Sequence, residues 1–307
     1  MEYHVPVLCT ESVDWLIHDA NGIYVDVTFG GGGYTREILS KIDKGHVYAF
    51  DQDNDAAEQA GAITDNAFTF IQANFRYLKK YLRVHGISSV DGIVADLGIS
   101  SHQIDEPARG FSFRLGGELD MRMSSTGMTA AEVVNTYEEK ELHHLFGMYG
   151  EVKNARSLAA AIVRERIGRP ITNIESFLEI IEPLAPKHRE YRYFAQVFQA
   201  LRIEVNQEME ALKELLTQSV EVLKEGGRLV VVSYHSLEDR LVKNFLAKGK
   251  YTGEVEKDLY GNAIKPFDVL SRKAIIPNQE EITNNSRARS AKLRIGERNN
   301  QVWETIQ

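Results

Sequence analysis

The sequence predicts an α/β protein in which a mostly parallel sheet with helical crossovers is interrupted by an inserted all-helical domain. Strand-like apolar segments alternate with helical ones through the first third of the 307 residues, at 23–29, 46–51, 68–72 and 90–97. This alternation is typical of a parallel sheet with crossover helices. From about residue 106 the periodicity is helical only, and a strand returns at 227–233 after a Gly-Gly break.

Apolar residues at helical spacing predict the helices of the insertion at 130–146, 155–166, 174–184 and 194–216. A further helix is expected at 237–247, and two weak strands at 268–275 and 291–296 are expected to close the sheet as an antiparallel pair. We therefore expect one domain formed by 1–105 and 211–307, and a second, inserted domain at 106–210.

The first predicted strand ends in a glycine turn. Asp26 is followed by four consecutive glycines, Gly30 to Gly33, and a helix begins at Tyr34. Glycine takes positive φ and lets a ligand approach the backbone, while the N–H groups of a helix start suit an anionic group. About 20 residues on, the second strand ends at Asp51, where a carboxylate can accept hydrogen bonds from a ribose diol. The pattern favours a nucleoside-bearing cofactor over an ordinary tight turn with an unrelated acid.

The spacing of the glycines argues against a dinucleotide. Dinucleotide sites use Gly-x-Gly-x-x-Gly, whereas these glycines are contiguous. The fourth strand ends in Asp96, which is expected to face the crevice at the edge of the sheet. The order of glycine turn, Asp51 and Asp96 resembles that of the S-adenosylmethionine-dependent methyltransferases of the Rossmann-like class.

The composition of the chain limits the cellular compartment and the binding partners that can be expected for the protein. A single cysteine, Cys9, permits no internal disulfide and no Cys-x-x-Cys metal cluster. No run of 18 apolar residues is present, and the N-terminus lacks the basic and apolar regions of a signal peptide. We expect a cytoplasmic protein that binds no structural metal and does not span a membrane. The net charge of −8 argues against a nucleic-acid binder, although local patches decide phosphate contacts.

A basic cluster near the C-terminus is one such patch. Four cations fall within eight residues, Arg287, Arg289, Lys292 and Arg294. Runs of this kind are usually solvated surface, but here they are also candidates to neutralise phosphates and to make binding depend on salt.

For three other motifs, the residue types do not decide between a structural and a functional role. At 233–240, Ser236 followed by Asp239 predicts a helix cap, which leaves His235 at the crevice rim unexplained. At 194–206, the stripe of Gln199, Arg202 and Asn206 reads as a solvated helix face. The segment 119–123 reads as a core turn with exposed charges.

Several long motifs occur in one order along almost the whole chain: HVPVL at 4–8, DVTFGGGG at 26–33, DLGISSHQ at 96–103, RGFSF at 109–113, LDMRM at 119–123, FQALRI at 198–203, SYHSLEDR at 233–240 and RARSAKLR at 287–294. In this the chain resembles the RsmH (MraW) family of bacterial ribosomal RNA methyltransferases. The resemblance implies an α/β fold with a Rossmann-like class I methyltransferase sheet and an inserted, all-helical, substrate-recognition domain.

The resemblance also implies a reaction and a site. The reaction is methyl transfer from S-adenosyl-L-methionine to the exocyclic N4 of a cytidine in the decoding (P-site) region of 16S rRNA in the small ribosomal subunit. The residues expected to contact the cofactor are Gly32, Gly33, Tyr34, Asp51, Phe75, Asp96 and Gln103. Those expected to contact RNA are Arg202, Arg287, Arg289, Lys292 and Arg294. Asp96 and His235 are the catalytic candidates, with Ser100 an alternative acceptor for the amine, and the oligomeric state, a homodimer included, stays open.

Two departures and two rival functions accompany the resemblance. The family usually has histidine where this chain has Tyr34, and proline where it has His102. A DNA amino-methyltransferase is disfavoured, since Asp96-Leu97-Gly98-Ile99 is not the Asn/Asp-Pro-Pro-aromatic element of those enzymes. A non-catalytic RNA-binding factor is disfavoured by the intact glycine turn together with Asp51 and Asp96.

Overall fold

The computed structural model describes residues 6–303, which form two units. The sheet unit comprises the chain up to Gly98 and from Met209 onward, and the insertion comprises Ile99–Glu208. The insertion thus begins at Ile99 and ends at Glu208, against the predicted 106 and 210. His4 and Val5 of the N-terminal motif lie outside the described residues.

The first part of the sheet unit contains, in chain order, α1 (Cys9–Leu16), β1 (Ile23–Asp26), α2 (Gly33–Leu39), β2 (His46–Asp51), α3 (Asn54–Ala60), β3 (Phe68–Gln72), α4 (Leu78–Val84) and β4 (Val90–Asp96). The insertion contains α5 (Ser101–Asp105), α6 (Ala130–Thr136), α7 (Glu139–Met148), α8 (Ala155–Gly168), α9 (Ile174–Ile181) and α10 (Glu190–Asn206). The remainder contains α11 (Glu208–Val222), β5 (Leu223–Ser233), α12 (Ser236–Lys248), β6 (Glu256–Lys257), β7 (Ala263–Ile264), β8 (Phe267–Val269), α13 (Gln279–Asn284) and β9 (Lys292–Arg298).

Seven strands form one sheet in the order β3-β2-β1-β4-β5-β9-β8. The five strands from β3 to β5 are parallel, whereas β9 runs antiparallel to both β5 and β8. The predicted antiparallel closure is therefore present, with its first strand shortened to β8 and followed by a single bridge from Ile275 to Leu293. The order and direction of the strands confirm the predicted α/β class.

The strand register brings the carboxyl ends of four neighbouring strands to one edge of the sheet. Asp26 pairs with Ala49 of β2 and with Val94 of β4, so Asp51 and Asp96 each lie two residues further along their strands. Asp96 in turn pairs with Val232 of β5. In parallel sheets this edge is where ligands bind.

Two of the predicted helices are each divided in two. The helix expected at 130–146 is split into α6 and α7 at Tyr137 and Glu138, which have extended backbones. The helix expected at 194–216 is α10 followed by α11, because Gln207 takes a left-handed conformation with φ of 49°. Both helix breaks occur at residues with non-helical backbone dihedrals, which the spacing of apolar residues does not predict.

Each unit has its own apolar core. In the sheet unit Tyr24, Phe50 and Phe245 are fully buried, and in the insertion Phe146 and Phe177 are. Burying such side chains is the main favourable term in folding, at about 1.5–3 kcal/mol for a residue of the size of phenylalanine. Within the described residues no helix is both long and apolar enough to cross a membrane.

The expectation of a solvated stripe on α10 is wrong. Asn206 donates from Nδ2 to the carbonyl of Met121 over 2.8 Å, and its Oδ1 accepts from the Met123 N–H over 2.8 Å. Gln199 donates to the carbonyl of Tyr149 over 2.9 Å, and Arg202 pairs with Glu208. Asn206 thus holds the turn at 119–123, whose Met121 is fully buried with φ of 63°. Polar side chains here satisfy loop backbone groups rather than water.

Candidate functional site

Asp26 is the most deeply buried of the three acids at the sheet edge. Its Oδ2 accepts a hydrogen bond from the Thr35 hydroxyl over 2.7 Å, and its Oδ1 accepts from the Thr28 N–H over 3.2 Å. Burial raises the pKa of this carboxyl to about 6. Asp26 therefore ties the end of β1 to α2, and both of its oxygens are engaged within the protein.

Asp51 is bonded to the glycine turn itself. Its Oδ2 accepts from the Gly30 N–H over 2.8 Å, and its Oδ1 accepts from the Asp53 N–H over 2.9 Å. Burial raises its pKa. A carboxylate has about four acceptor positions. The backbone N–H groups of Gly30, Gln52 and Asp53 use three of them, so capacity remains for a hydroxyl donor of a ribose diol.

The glycines of the turn are needed by the chain itself. Gly32 has φ of 77°, a region that side chains rarely adopt, and a Cβ there would lie 2.7 Å from the ring of Phe29. A Cβ at Gly33 would lie 2.2 Å from Cγ of Pro6. Close packing of the N-terminal segment on the turn thus explains Gly33, whether or not a ligand also approaches it.

Tyr34 is buried in the core of the sheet unit. It is 2% exposed, and its hydroxyl donates to the carbonyl of Val7 over 2.5 Å. Burial raises its pKa well above the ordinary value. Its side chain stabilises the N-terminal segment, so the cofactor contact predicted for Tyr34 is left to its backbone.

Asp96 is held from two sides at the end of β4. Its N–H donates to the Thr28 hydroxyl over 2.7 Å, and its Oδ1 accepts from the Tyr234 hydroxyl over 2.7 Å. Within residues 6–303 its Oδ2 has no hydrogen-bond partner. Burial raises the pKa of this carboxyl to about 7; the Tyr234 bond lowers it, and the charges of Asp26 and Glu238 raise it further.

His235, not Ser236, is the N-cap of α12, which corrects the predicted cap. The Glu238 carboxylate accepts from the Tyr234 N–H over 2.9 Å, while Nδ1 of His235 accepts from the Glu238 N–H over 3.5 Å. The acid expected to complete the cap, Asp239, is instead taken up by ion pairs to β9. Nε2 of His235 lies 3.1 Å from Oε1 of Glu238 but forms no hydrogen bond within the described part of the chain.

Two further predicted cofactor residues lie in different units. Phe75 is half-buried in a short 3₁₀ turn of the sheet unit, where it packs against the core. Gln103, in the insertion, is 6% exposed and closes a capping box with Ser100: its N–H donates to the Ser100 hydroxyl over 3.1 Å, and its Oε1 accepts from the Ser100 N–H over 3.0 Å. Their contacts with a cofactor stay predictions.

The basic cluster divides into two pairs. Arg287 and Arg289 are exposed on a short 3₁₀ turn, Ser286–Ser290. On β9, Lys292 lies 3.1 Å and Arg294 2.6 Å from the carboxylate of Asp239. Lys292 and Arg294, two of the four cations predicted to meet phosphates, are therefore paired within the protein.

Sequence reasoning missed Tyr234, Thr28 and Thr35, which position the two buried acids. The position of Tyr234 in the sequence could have identified it. It directly follows the fifth strand, which neighbours the fourth strand in this strand order. The two threonines carry no comparable signal, because a hydroxyl near a strand end is common and its partner depends on side-chain orientation.

The residues present fit S-adenosyl-L-methionine. Asp51 retains acceptor capacity for the ribose, and the carboxyl groups of Asp26, Asp51 and Asp96 lie at one edge, where an ionised carboxylate suits a sulfonium cation. Together the strand order, the antiparallel β9 and these acids define a Rossmann-like, class I, S-adenosylmethionine-dependent methyltransferase.

Comparison with known proteins places the chain within this class. Residues 1–299 match the MraW methylase family, and the chain belongs to that family. It is 59% identical to the ribosomal RNA small subunit methyltransferase H of Cytophaga hutchinsonii, over 96% of this chain and 99% of that one. It is 55% identical to the protein of the same name from Phocaeicola vulgatus, over 96% of this chain and 97% of that one.

A solved rRNA methylase from Streptococcus thermophilus is also similar, covering 95% of this chain and 93% of that chain with a TM-score of 0.41 and 13% identity. The fold class rests on the strand order above, and membership on the family match. As a member of this family the protein is a methyltransferase whose cofactor is S-adenosyl-L-methionine.

Proposed function

We propose that the protein methylates the exocyclic N4 of a cytidine in the decoding (P-site) region of 16S rRNA, within the small ribosomal subunit in the cytoplasm. The names of its relatives support ribosomal RNA of the small subunit as the substrate. One observation supports an amine as the methyl acceptor: Asp96 is held through Oδ1 by Tyr234, while its Oδ2 is without a partner in the described residues.

Asp96 matches what this chemistry demands. The N4 lone pair of cytosine is delocalised into the ring, so the amine becomes nucleophilic only as it pyramidalises. A fixed acceptor that binds its N–H favours that change and orients the amine. As the new N–C bond forms, the amine must lose a proton. A carboxylate with a pKa near 7 is suited to take it at neutral pH.

We assign this role to Asp96 rather than to His235. The His235 ring caps α12 through Nδ1, and its Nε2 faces the Glu238 carboxylate. These contacts give His235 a structural role in the turn between β5 and α12. Ser100 likewise accepts the Gln103 N–H as the cap of α5.

The cofactor supplies the electrophilic methyl group when it is bound. Asp51 would hold its ribose, and the backbone of Gly32, Gly33 and Tyr34 would lie along it. Phe75 would pack on its adenine, and Gln103 would add a polar contact. The target base must leave its stack to reach such a site, and we propose that the insertion recognises the RNA around it.

The deciding experiment is methylation of small ribosomal subunits that lack the modification, with the product nucleoside identified by mass spectrometry. We expect N4-methylcytidine at a single P-site position, and a rate of formation at least roughly 100-fold lower with the Asp96→Asn variant. Subunits that already carry the mark serve as the control and should accept no methyl group. A methyl group on another base, or on a ring carbon or ribose oxygen, would overturn the proposal.

A further inference from the structure

The insertion carries a surface of aromatic and basic residues outside the predicted RNA-binding set. We name it the Tyr191 surface. It is formed by the loop before α10, the first turn of that helix and a turn near residue 113. Its residues are Phe113, Arg114, Lys187, Arg189, Tyr191 and Arg192.

Tyr191 presents an aromatic ring to solvent on a rigid support. It is 68% exposed, whereas large aromatic side chains are usually mostly buried. Its ring centroid lies 6.2 Å from that of Phe113, with an interplanar angle of 34°. Phe113 in turn packs edge-on against Phe194 at 5.8 Å and Phe198 at 5.6 Å, both buried in the core of the insertion. The exposed ring is thereby held in place.

Arg114 lies over both rings. Its Cζ is 5.6 Å from the centroid of Tyr191 and 5.8 Å from that of Phe113. The side chain is exposed and forms no ion pair within residues 6–303. An arginine stacked on an aromatic ring keeps its N–H donors for a phosphate or a base edge.

The adjoining segment is basic in an acidic protein. The six residues 187–192 read KHREYR, three cations against one acid, in a chain of net charge −8. Lys187, Arg189 and Arg192 are exposed and form no ion pair within the described ranges. The cations of β9 differ in this respect, since Lys292 and Arg294 are both paired with Asp239.

We propose that the Tyr191 surface binds single-stranded RNA, with a base stacked on Tyr191 and phosphates contacted by Arg114, Lys187, Arg189 and Arg192. Exposed rings that accept bases, flanked by cations that follow the backbone, are the means by which proteins hold single strands. The inference rests on the proposed function, in that the strand is part of the substrate RNA. According to this proposal, the insertion binds the RNA that lies outside the target base.

The stacking part is tested with the full-length protein and fluorescently labelled oligoadenosine and oligouridine of about 12 nucleotides, within the usual range of single-strand sites. We expect Tyr191→Ala to weaken binding roughly tenfold, within the usual range for one stacked base, and Tyr191→Phe to bind like wild type. Tyr260→Ala is the matched control, since Tyr260 is 91% exposed in the sheet unit. Equal affinity of Tyr191→Ala and wild type, with both folded by circular dichroism, would overturn the stacking.

The charge part is tested by the salt dependence of the same binding. Replacing Lys187, Arg189 and Arg192 together with alanine should reduce the slope of log K against log salt by about 2, at ~0.7 per lost contact with a single strand. The control replaces three exposed cations of the sheet unit, Lys44, Arg83 and Lys257, and should leave the slope unchanged. An unchanged slope in the first variant, or an equal reduction in the control, rules out this surface.

Failure of this inference is distinguishable from failure of the proposed function. Wild-type protein and Tyr191→Ala are titrated with S-adenosyl-L-methionine and assayed on unmodified small subunits. We expect equal cofactor affinity and a KM for subunits about tenfold higher in the variant. If the wild type yields N4-methylcytidine and both proteins share one KM, the surface is wrong while the proposed function stands. If the wild type yields no N4-methylcytidine, the proposed function fails and this inference with it.

Discussion

The hydroxyl of Tyr234 donates a hydrogen bond to Oδ1 of Asp96 over 2.7 Å and joins the ends of two neighbouring parallel strands. Burial raises the pKa of the tyrosine well above its ordinary value, so it remains a donor across the working pH range. The charged groups that act on Asp96 from the surrounding elements are Asp26 of β1 and Glu238 of α12. Both raise its pKa, whereas the tyrosine stabilises the carboxylate.

We predict that Tyr234→Phe shifts the pH profile of methyl transfer to higher pH. The hydroxyl bonds to the charged form of Asp96, so its loss raises the pKa of that carboxyl from about 7. A hydrogen bond to a charged group is worth about 1.5–3 kcal/mol, which corresponds to a shift of about one to two pH units. The measurement is kcat/KM against pH, which reports groups of the free enzyme. A profile that falls in height without moving would mean that the tyrosine acts only on packing.

We predict that Asp96→Asn lowers the methyl-transfer rate at least roughly 100-fold, because the amine loses its charged acceptor. The measurement is single-turnover transfer at saturating cofactor. Turnover near that of wild type would assign the acceptor to another group.

The same variant should be more stable than wild type at high pH. Because the pKa of Asp96 is raised in the folded protein, folding favours its protonated form. Wild-type stability is therefore lost as pH rises from the ordinary value of 3.8 towards about 7. Asparagine does not titrate, so above pH 8 we expect Asp96→Asn to melt roughly 2–4 °C or more above wild type. The difference in Tm should vanish near pH 4, and a difference that is the same at both pH values would contradict the raised pKa.

We predict that Asp51→Ala weakens S-adenosyl-L-methionine binding more than tenfold, since charge-assisted hydrogen bonds to a diol are worth about 1.5–3 kcal/mol each. It should also lower stability, because the N–H groups of Gly30 and Asp53 lose their acceptor. Asp53→Ala is the control: it removes the N-cap of α3, where its Oδ1 accepts from the Asp55 N–H over 3.1 Å, but it keeps the Asp51 carboxylate and the backbone N–H that donates to it. Calorimetric titration should show the affinity loss in the first variant only.

The fold was accessible from the sequence because its signals are local and repeated. Apolar strands that end in Asp26, Asp51 and Asp96, each followed by a helix, specify parallel pairing without any knowledge of long-range contacts. The breaks in the helices were not accessible. Gln207 ends α10 through a single left-handed backbone conformation, and the apolar pattern runs through it unchanged.

Within the site, residue type identified the acids but not their partners. Asp51 and Asp96 follow from their place at strand ends, whereas Tyr234 and the threonines depend on which way a side chain turns. The usual preference of polar residues assigns those on α10 to solvent. The structure shows that Asn206 instead satisfies the backbone of a loop that is distant in sequence.

We predict that the two halves of the basic cluster behave differently. Replacing the exposed Arg287 and Arg289 with alanine should flatten the salt slope of RNA binding by about one to two, at ~0.7–0.9 per lost phosphate contact, and hardly change cofactor affinity. Arg294→Ala should mainly lower Tm, because it removes an ion pair with the partly buried Asp239. If the first variant loses stability at an unchanged salt slope, the exposed pair is structural.

The last prediction concerns Arg202, which is expected to contact RNA. Its Nε and Nη2 donate to the two oxygens of Glu208 over 2.8 and 2.9 Å, and the two side chains are only 14% and 10% exposed. Removing one partner of a buried pair leaves the other charge uncompensated, which destabilises by about 3–5 kcal/mol in fully buried cases and by less here. We expect Arg202→Ala to lower Tm by several degrees.

The double variant Arg202→Ala with Glu208→Ala separates the two roles of Arg202. If the arginine serves the fold, removing both charges should restore much of the lost Tm, and the salt slope of RNA binding should match wild type. If it contacts a phosphate, the slope of the double variant should be lower by about 0.7–0.9 even though its Tm recovers. The geometry favours the first outcome, because both oxygens of Glu208 accept hydrogen bonds from one edge of the guanidinium.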